Sequence, residues 1–392
     1  MKKVCVITAT RAEYGLLRNT IKQIDEDSDL ELSLVVTGAH LSRSFGYTVK
    51  EIENDHFPIA ARIDILLEAD SAAAISKTMG IAMISFADFL EKENPDMLLV
   101  LGDRYELIPF CSCALVAKIP IAHIAGGEST EGAIDECVRH CVTKMSYLHF
   151  AGCEEYRQRI IQLGEAPERV FNYGDTGVEN IEKMFFLSKS DLEKEINFRL
   201  DRPYAVVTFH PETLSNNSIS RQCQELFCAI EKFPNMKFIF TKANADAGGR
   251  EINQYIDEFV SRHKENCIAF QSLGLLRYLS LVKYSDLVLG NSSSGIIEAP
   301  CFDVPTVNVG KRQEGRLRAK SVIDCNTAEL EIVDAMNQAL SRSFRTSILE
   351  CQNPYGGGNT SYKIVQTIKD FIYNKSITVE KRFYDLPKEV IK

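Results

Sequence analysis

Short apolar runs alternate with amphipathic stretches along most of this chain. Runs at 4–8, 32–36, 97–101, 119–124 and 148–151 have strand length and little polar interruption. Between them, apolar positions at helical spacing predict helices over 16–24, 47–53, 72–91, 106–117 and 136–147. A turn-rich segment, Asn172-Tyr173-Gly174-Asp175-Thr176-Gly177, closes this first series. After a charged helical run at 189–195 the alternation resumes, with strands predicted at 204–209, 237–241, 267–270, 287–289 and 306–309 and helices between them. Gly356-Gly357-Gly358-Asn359 then forms a loop that restarts a helix over 362–373. Strands buried on both faces and separated by helices are the mark of parallel sheets. The predicted fold is therefore α/β, with two Rossmann-like domains facing across a cleft: 1–177, 178–360, and a C-terminal helix and tail over 361–392.

In such sheets ligands bind beyond the carboxyl ends of the strands, so the turns after the predicted strands carry the candidate chemistry. The run 97–101 leads into GDRYE, which puts Asp103 just past a strand. The run 119–124 leads into AGGESTEGAIDECVRH, bringing Glu128, Glu131, Asp135 and Glu136 to the neighbouring turn. Carboxylates gathered at one crevice suit acid/base work, because close carboxylates separate each other's proton affinities. Thr8-Ala9-Thr10-Arg11-Ala12-Glu13 follows the first strand. A helix start there is a place for a phosphate, with Arg11 able to contact an anion. The turn is neither a GxGxxG nor a Walker loop. Phe209-His210-Pro211-Glu212 closes the first strand of the second series, where His210 could donate to a phosphate or act as an acid. Gly290-Asn291-Ser292-Ser293-Ser294-Gly295-Ile296-Ile297-Glu298 opens a helix after another strand. Its hydroxyls and backbone N–H groups could hold a diphosphate, and Glu298 both hydroxyls of a ribose. Gly310-Lys311-Arg312-Gln313-Glu314-Gly315-Arg316 adds local positive charge.

Composition narrows the classes. With 392 residues, 45% hydrophobic and 25% charged, the chain can bury two ordinary cores. A net charge of −9 argues against a nucleic-acid surface, though not against an anion held by a few arginines. Twelve cysteines include no CxxC pair. Cys137, His140 and Cys141 lie a helical turn apart, but no further ligands stand nearby, so no metal is expected. No uninterrupted apolar run reaches membrane-spanning length. The basic and then apolar start, MKKVCVITAT, is cut short by Arg11 and Glu13 and reads as a first buried strand. Together these predict a cytoplasmic protein without membrane association.

The motifs TRAEYG, TGAHLSRSFGYT, VLGDRYE, HIAGGE, IDECVRH, FHPETLS, GNSSSGIIE and GKRQEGR, in that order, resemble the hydrolysing UDP-N-acetylglucosamine 2-epimerases over most of the chain. The resemblance implies a GT-B-like fold, a C-terminal helix returning to the first domain, a homodimer, and no cofactor. It implies removal of the C2 proton as UDP leaves C1, then hydration of 2-acetamidoglucal to N-acetylmannosamine, the first step of sialic-acid synthesis. Asp103 and Asp135 match family catalytic carboxylates, and His210 a functional histidine. Ser292, Ser293, Gly295 and Glu298 match the UDP contacts, and Arg11 and Arg312 line the nucleotide site. At one position the chain departs: where some members read HIEGGE, residue 125 is alanine. Glu128 or Glu131 then takes over the proton work, or Asp103 and Asp135 manage alone. The alternatives are the same reaction on UDP-2,4-diacetamido-2,4,6-trideoxyglucose, a non-hydrolysing epimerase, and a glycosyltransferase of the same fold.

Overall fold

A computed structural model describes residues 1–392 except 68, 70, 132, 213–217, 244–247, 350, 351, 376, 378 and 388–392. It divides into two compact units. One comprises Met1–Glu128, Ile134–Asn180 and Tyr355–Lys392; the other comprises Ser129–Ala133 and Ile181–Pro354.

The first unit is built on seven parallel strands: β1 (Lys2–Thr8), β2 (Leu30–Thr37), β3 (Ile59–Ile63), β4 (Met97–Leu101), β5 (Ile121–Ile124), β6 (Leu148–Ala151) and β7 (Val170–Asn172). Their order is β3-β2-β1-β4-β5-β6-β7. Successive side chains of a strand face opposite ways, and β1 shows the result. Val4 and Val6 join one core with Leu17, Ile21, Ile364, Ile368 and Phe371. Cys5 and Ile7 join the other with Phe86, Leu98, Val100 and Phe110. The helix Thr360–Asn374 thus covers the first unit's sheet.

The second unit holds six parallel strands: β8 (Tyr204–Thr208), β9 (Lys237–Thr241), β10 (Cys267–Phe270), β11 (Leu287–Gly290), β12 (Thr306–Val309) and β13 (Val322–Cys325). Their order is β10-β9-β8-β11-β12-β13.

Three strands, β3, β7 and β13, were not expected from the apolar runs, and all three lie at sheet edges. An edge strand is paired on one side and only partly covered, so its sequence need not be continuously apolar. The exposure pattern of β3 alternates along Ile59–Ile63, and β13 is nowhere fully buried. The helix Ala72–Glu93 fits the helix expected over 72–91, and by length and composition alone it could also cross a bilayer. Yet it packs Ala74, Thr78, Ala82, Phe86 and Leu90 inward.

After the last helix the chain clamps onto its own unit. Lys381 Nζ lies 2.8 Å from both oxygens of the fully buried Glu165, and Lys144 lies 2.5 Å from one of them. Burial by itself would raise the Glu165 carboxyl, but these partners together with His149 hold it at about 2. Burial lowers His149 to about 4, so at neutral pH the lysines supply the compensating charge.

Candidate active site

In each sheet the chain first winds one way from a starting strand and then the other. This places a switch point between β1 and β4 in the first unit and between β8 and β11 in the second. Loops diverge there and leave a crevice. Most of the residues singled out from the sequence sit at these two points.

In the first unit, Asp103 follows β4 through Gly102, whose φ of +85° turns the chain out of the strand. The turn is pinned from β5: His123 Nε2 donates to the Gly102 carbonyl at 2.7 Å, and Thr143 Oγ1 lies 3.3 Å from His123 Nδ1. Burial pushes His123 down to about 3, which keeps it neutral and fixes the tautomer that can donate to that carbonyl. The Asp103 carboxylate accepts from Arg139 Nη2. Arg139 is wholly buried, and its Nη1 also donates to the Glu128 carbonyl at 3.1 Å and to Glu136 Oε2 at 3.0 Å. Glu128 is itself 3% exposed. Asp135 is half-buried and opens the helix Asp135–Met145, where a carboxylate also suits the helix dipole. Asp103, Glu128 and the helix begun by Asp135 are thereby tied together. Glu131 is not among them: it is exposed and belongs to the second unit, its N–H donating to the Glu314 carbonyl at 3.1 Å.

The turn after β1 departs from its expected role. Glu13 folds back as a capping box, its Oε2 accepting from Ala9 N–H at 2.6 Å and Thr10 N–H at 3.4 Å. These donors already serve an internal carboxylate, which burial raises to about 7. Arg11 begins the helix Arg11–Asp25 beside them, half-buried.

In the second unit a single buried side chain joins the two strand ends. Asn291 Oδ1 accepts from His210 N–H at 2.7 Å, and its Nδ2 donates to the His210 carbonyl at 2.9 Å. The Asn291 carbonyl in turn accepts from Arg312 Nη1 at 3.0 Å and Gln313 Nε2 at 2.9 Å. Ser292 caps the five-residue helix Ser293–Ile297 by accepting from Ser294 N–H, and Glu298 follows it, 7% exposed. Gly295 has a packing reason: a β-carbon there would lie 2.7 Å from Thr306 Cγ2. Among the described residues no group of three or more His, Cys, Asp or Glu could hold a metal ion. Part of FHPETLS, residues 213–215, lies outside the described residues.

The pattern of the family described as UDP-N-acetylglucosamine 2-epimerase matches residues 22–369. The chain belongs to that family. A Campylobacter jejuni protein named GDP/UDP-N,N'-diacetylbacillosamine 2-epimerase (hydrolyzing) is 41% identical over 98% of this chain and 99% of its own length. Polysialic acid biosynthesis protein P7 of Escherichia coli is 41% identical over 99% of this chain and 98% of its own. Among solved structures, the S. aureus MnaA-UDP co-structure matches with a TM-score of 0.80 at 21% identity, covering 98% of this chain and all of that one. The two sheets are of the GT-B-like class expected from the sequence.

Within this epimerase, three residues escaped the reading of the sequence. His123, Arg139 and Asn291 were all inside quoted motifs, but a histidine in a strand, an arginine in a helix and an asparagine in a turn carry no signal of their partners. Ala125, where the family pattern departs, adopts φ +64° and packs beside the core around Ile124. Left-handed backbone at a residue with a β-carbon is strained, and such strain gathers at functional sites.

Asn291→Ala is expected to strand the buried N–H and carbonyl of His210. The cost should be about 2–4 kcal/mol from two unpaired groups. Denaturant unfolding measures it, and an unchanged midpoint would show that Asn291 does not join the strand ends.

Proposed function

We propose that this protein is a hydrolysing 2-epimerase that converts UDP-N-acetylglucosamine and water to N-acetylmannosamine and UDP, as the first step of sialic-acid synthesis. The observation that carries the reading is the set of carboxylates around buried Arg139 in a chain aligned end to end with a relative named as a hydrolysing 2-epimerase. In this reading UDP is held by Arg11, His210, Ser292, Ser293, Glu298 and Arg312, and the sugar meets Asp103, Glu128 and Asp135. A base takes the proton from C2, the C2–H electrons form the C1–C2 double bond, and the C1–O electrons leave with UDP. Arg11, Arg312 and His210 offset the negative charge that develops on the departing diphosphate. Water then adds its oxygen to C1 of the 2-acetamidoglucal and gives up a proton to a carboxylate, while a carboxylic acid returns a proton to C2 on the face opposite the one deprotonated. The products are the 2-epimer of the sugar and free UDP, without an acceptor sugar.

A second reading, favoured by the name of the Campylobacter relative, is the same reaction on a UDP-2,4-diacetamido-2,4,6-trideoxy sugar. The two substrates differ at C4 and C6, away from the bonds that react.

Incubation with each UDP-sugar alone, followed by ¹H NMR, separates the outcomes. The proposal requires free N-acetylmannosamine and UDP. Turnover of only the diacetamido sugar would move the assignment to the second reading, and UDP-N-acetylmannosamine as the sole product would exclude hydrolysis.

A further inference from the structure

Arg139 has the largest side chain among the fully buried residues, and a guanidinium is costly to take out of water unless it is paired. Its recorded acceptors are not scattered through the core. Asp103 comes from the turn after β4, the Glu128 carbonyl from the loop after β5, and Glu136 from the first turn of Arg139's own helix. All three lie where the strands deliver their carboxyl ends. Asp103 is itself only 21% exposed, so the pair is largely screened from water. Glu136 is held from a second side, with His140 Nε2 3.1 Å from its other oxygen.

We infer that Arg139 is a positioning residue for proton transfer: it holds Asp103 in its ionised form and aims it. The inference rests on the reading of the chain as a UDP-sugar 2-epimerase. A buried guanidinium favours the charged form of a carboxylate bonded to it and restricts that carboxylate's rotation. Arg139 holds Oδ2 of Asp103, which leaves Oδ1 as the oxygen that can accept the C2 proton. Asp103 therefore serves as the base, and proton return to C2 falls to another carboxylate. Arg139 touches neither sugar nor nucleotide in this scheme and acts only through its partners.

The test compares Arg139→Met, Arg139→Lys, Asp103→Asn and the Arg139→Met/Asp103→Asn double variant, each checked for native circular dichroism. Arg139→Met should lower kcat about a hundredfold, with KM changed less than threefold and UDP affinity by calorimetry unaltered. Arg139→Lys keeps the charge but not the fork, and should recover at least tenfold of that loss. The double variant should be no slower than Asp103→Asn alone, because the arginine has nothing left to aim. A raised KM with normal kcat, multiplying losses in the double variant, or no recovery by lysine would each overturn the inference. If the wild-type protein turns over neither UDP-sugar, the proposed function fails instead. The pairing is then read from melting temperatures: the double variant should melt no lower than the worse single variant, and additive decreases would exclude the pair.

Discussion

Asp103→Asn is expected to lower turnover at least a hundredfold while leaving UDP affinity within about threefold. A hundredfold is the low end for loss of a positioned acid or base, or about 3 kcal/mol of barrier. Asparagine has nearly the same shape, so the turn at Gly102 pinned by His123 should persist. What disappears is the negative charge, and with it the oxygen that takes the C2 proton in the proposed mechanism. Arg139 would lose one charged acceptor but keep Glu136 and the Glu128 carbonyl, so a stability loss of about 1–3 kcal/mol should accompany the kinetic effect. Steady-state kinetics and UDP titration calorimetry on the same preparation separate the two effects. Near-normal kcat in this variant would remove Asp103 from the chemistry.

Gly290→Ala is expected to destabilise the second unit severely. Gly290 ends β11 at φ +126°, a conformation essentially confined to glycine. It pairs with Thr208 of β8, and a β-carbon would lie 2.1 Å from the Thr208 carbonyl oxygen, well inside contact distance. That same oxygen accepts from Asn291 N–H at 3.0 Å. The two strands that flank the switch point would have to separate, and the His210–Asn291 link would go with them. A loss of at least about 3 kcal/mol follows, which in a unit of this size lowers the melting temperature by roughly 10 °C. Gly80→Ala is the control. Gly80 lies within the helix Ala72–Glu93 with nothing within 4 Å of an added β-carbon, so that variant should melt no lower than wild type. Calorimetric melting of both decides the matter, and a Gly290→Ala midpoint within about 2 °C of wild type would refute the steric argument.

How much of this was readable beforehand depended on how local the cause is. Interior strands such as β1, β4, β5, β8 and β11 are buried on both faces, so each is a run of apolar residues that announces itself. β3, β7 and β13 lacked that signature because an edge strand need satisfy only one neighbour. The turn after β1 looked like an anion site because a helix start with an adjacent arginine is one in general. Whether its donors are open depends on the Glu13 rotamer, which no spacing rule specifies. Glu128 and Glu131 were equal contenders three positions apart, yet Glu128 is buried with the first unit and Glu131 belongs to the second.

The amino-acid sequence by itself determined the α/β class, the family and the acidic segments between Gly102 and His140. Each is written in residues close together along the chain, where periodic burial and motif spacing are local properties. Tertiary structure alone decided the strand orders, and with them which turns meet at a switch point. It also decided that Arg139 holds Asp103 from 36 positions away, and that Asn291 holds His210 from 81 away. A long-range hydrogen bond leaves no periodic trace, because its geometry is set by the sheet that carries both partners.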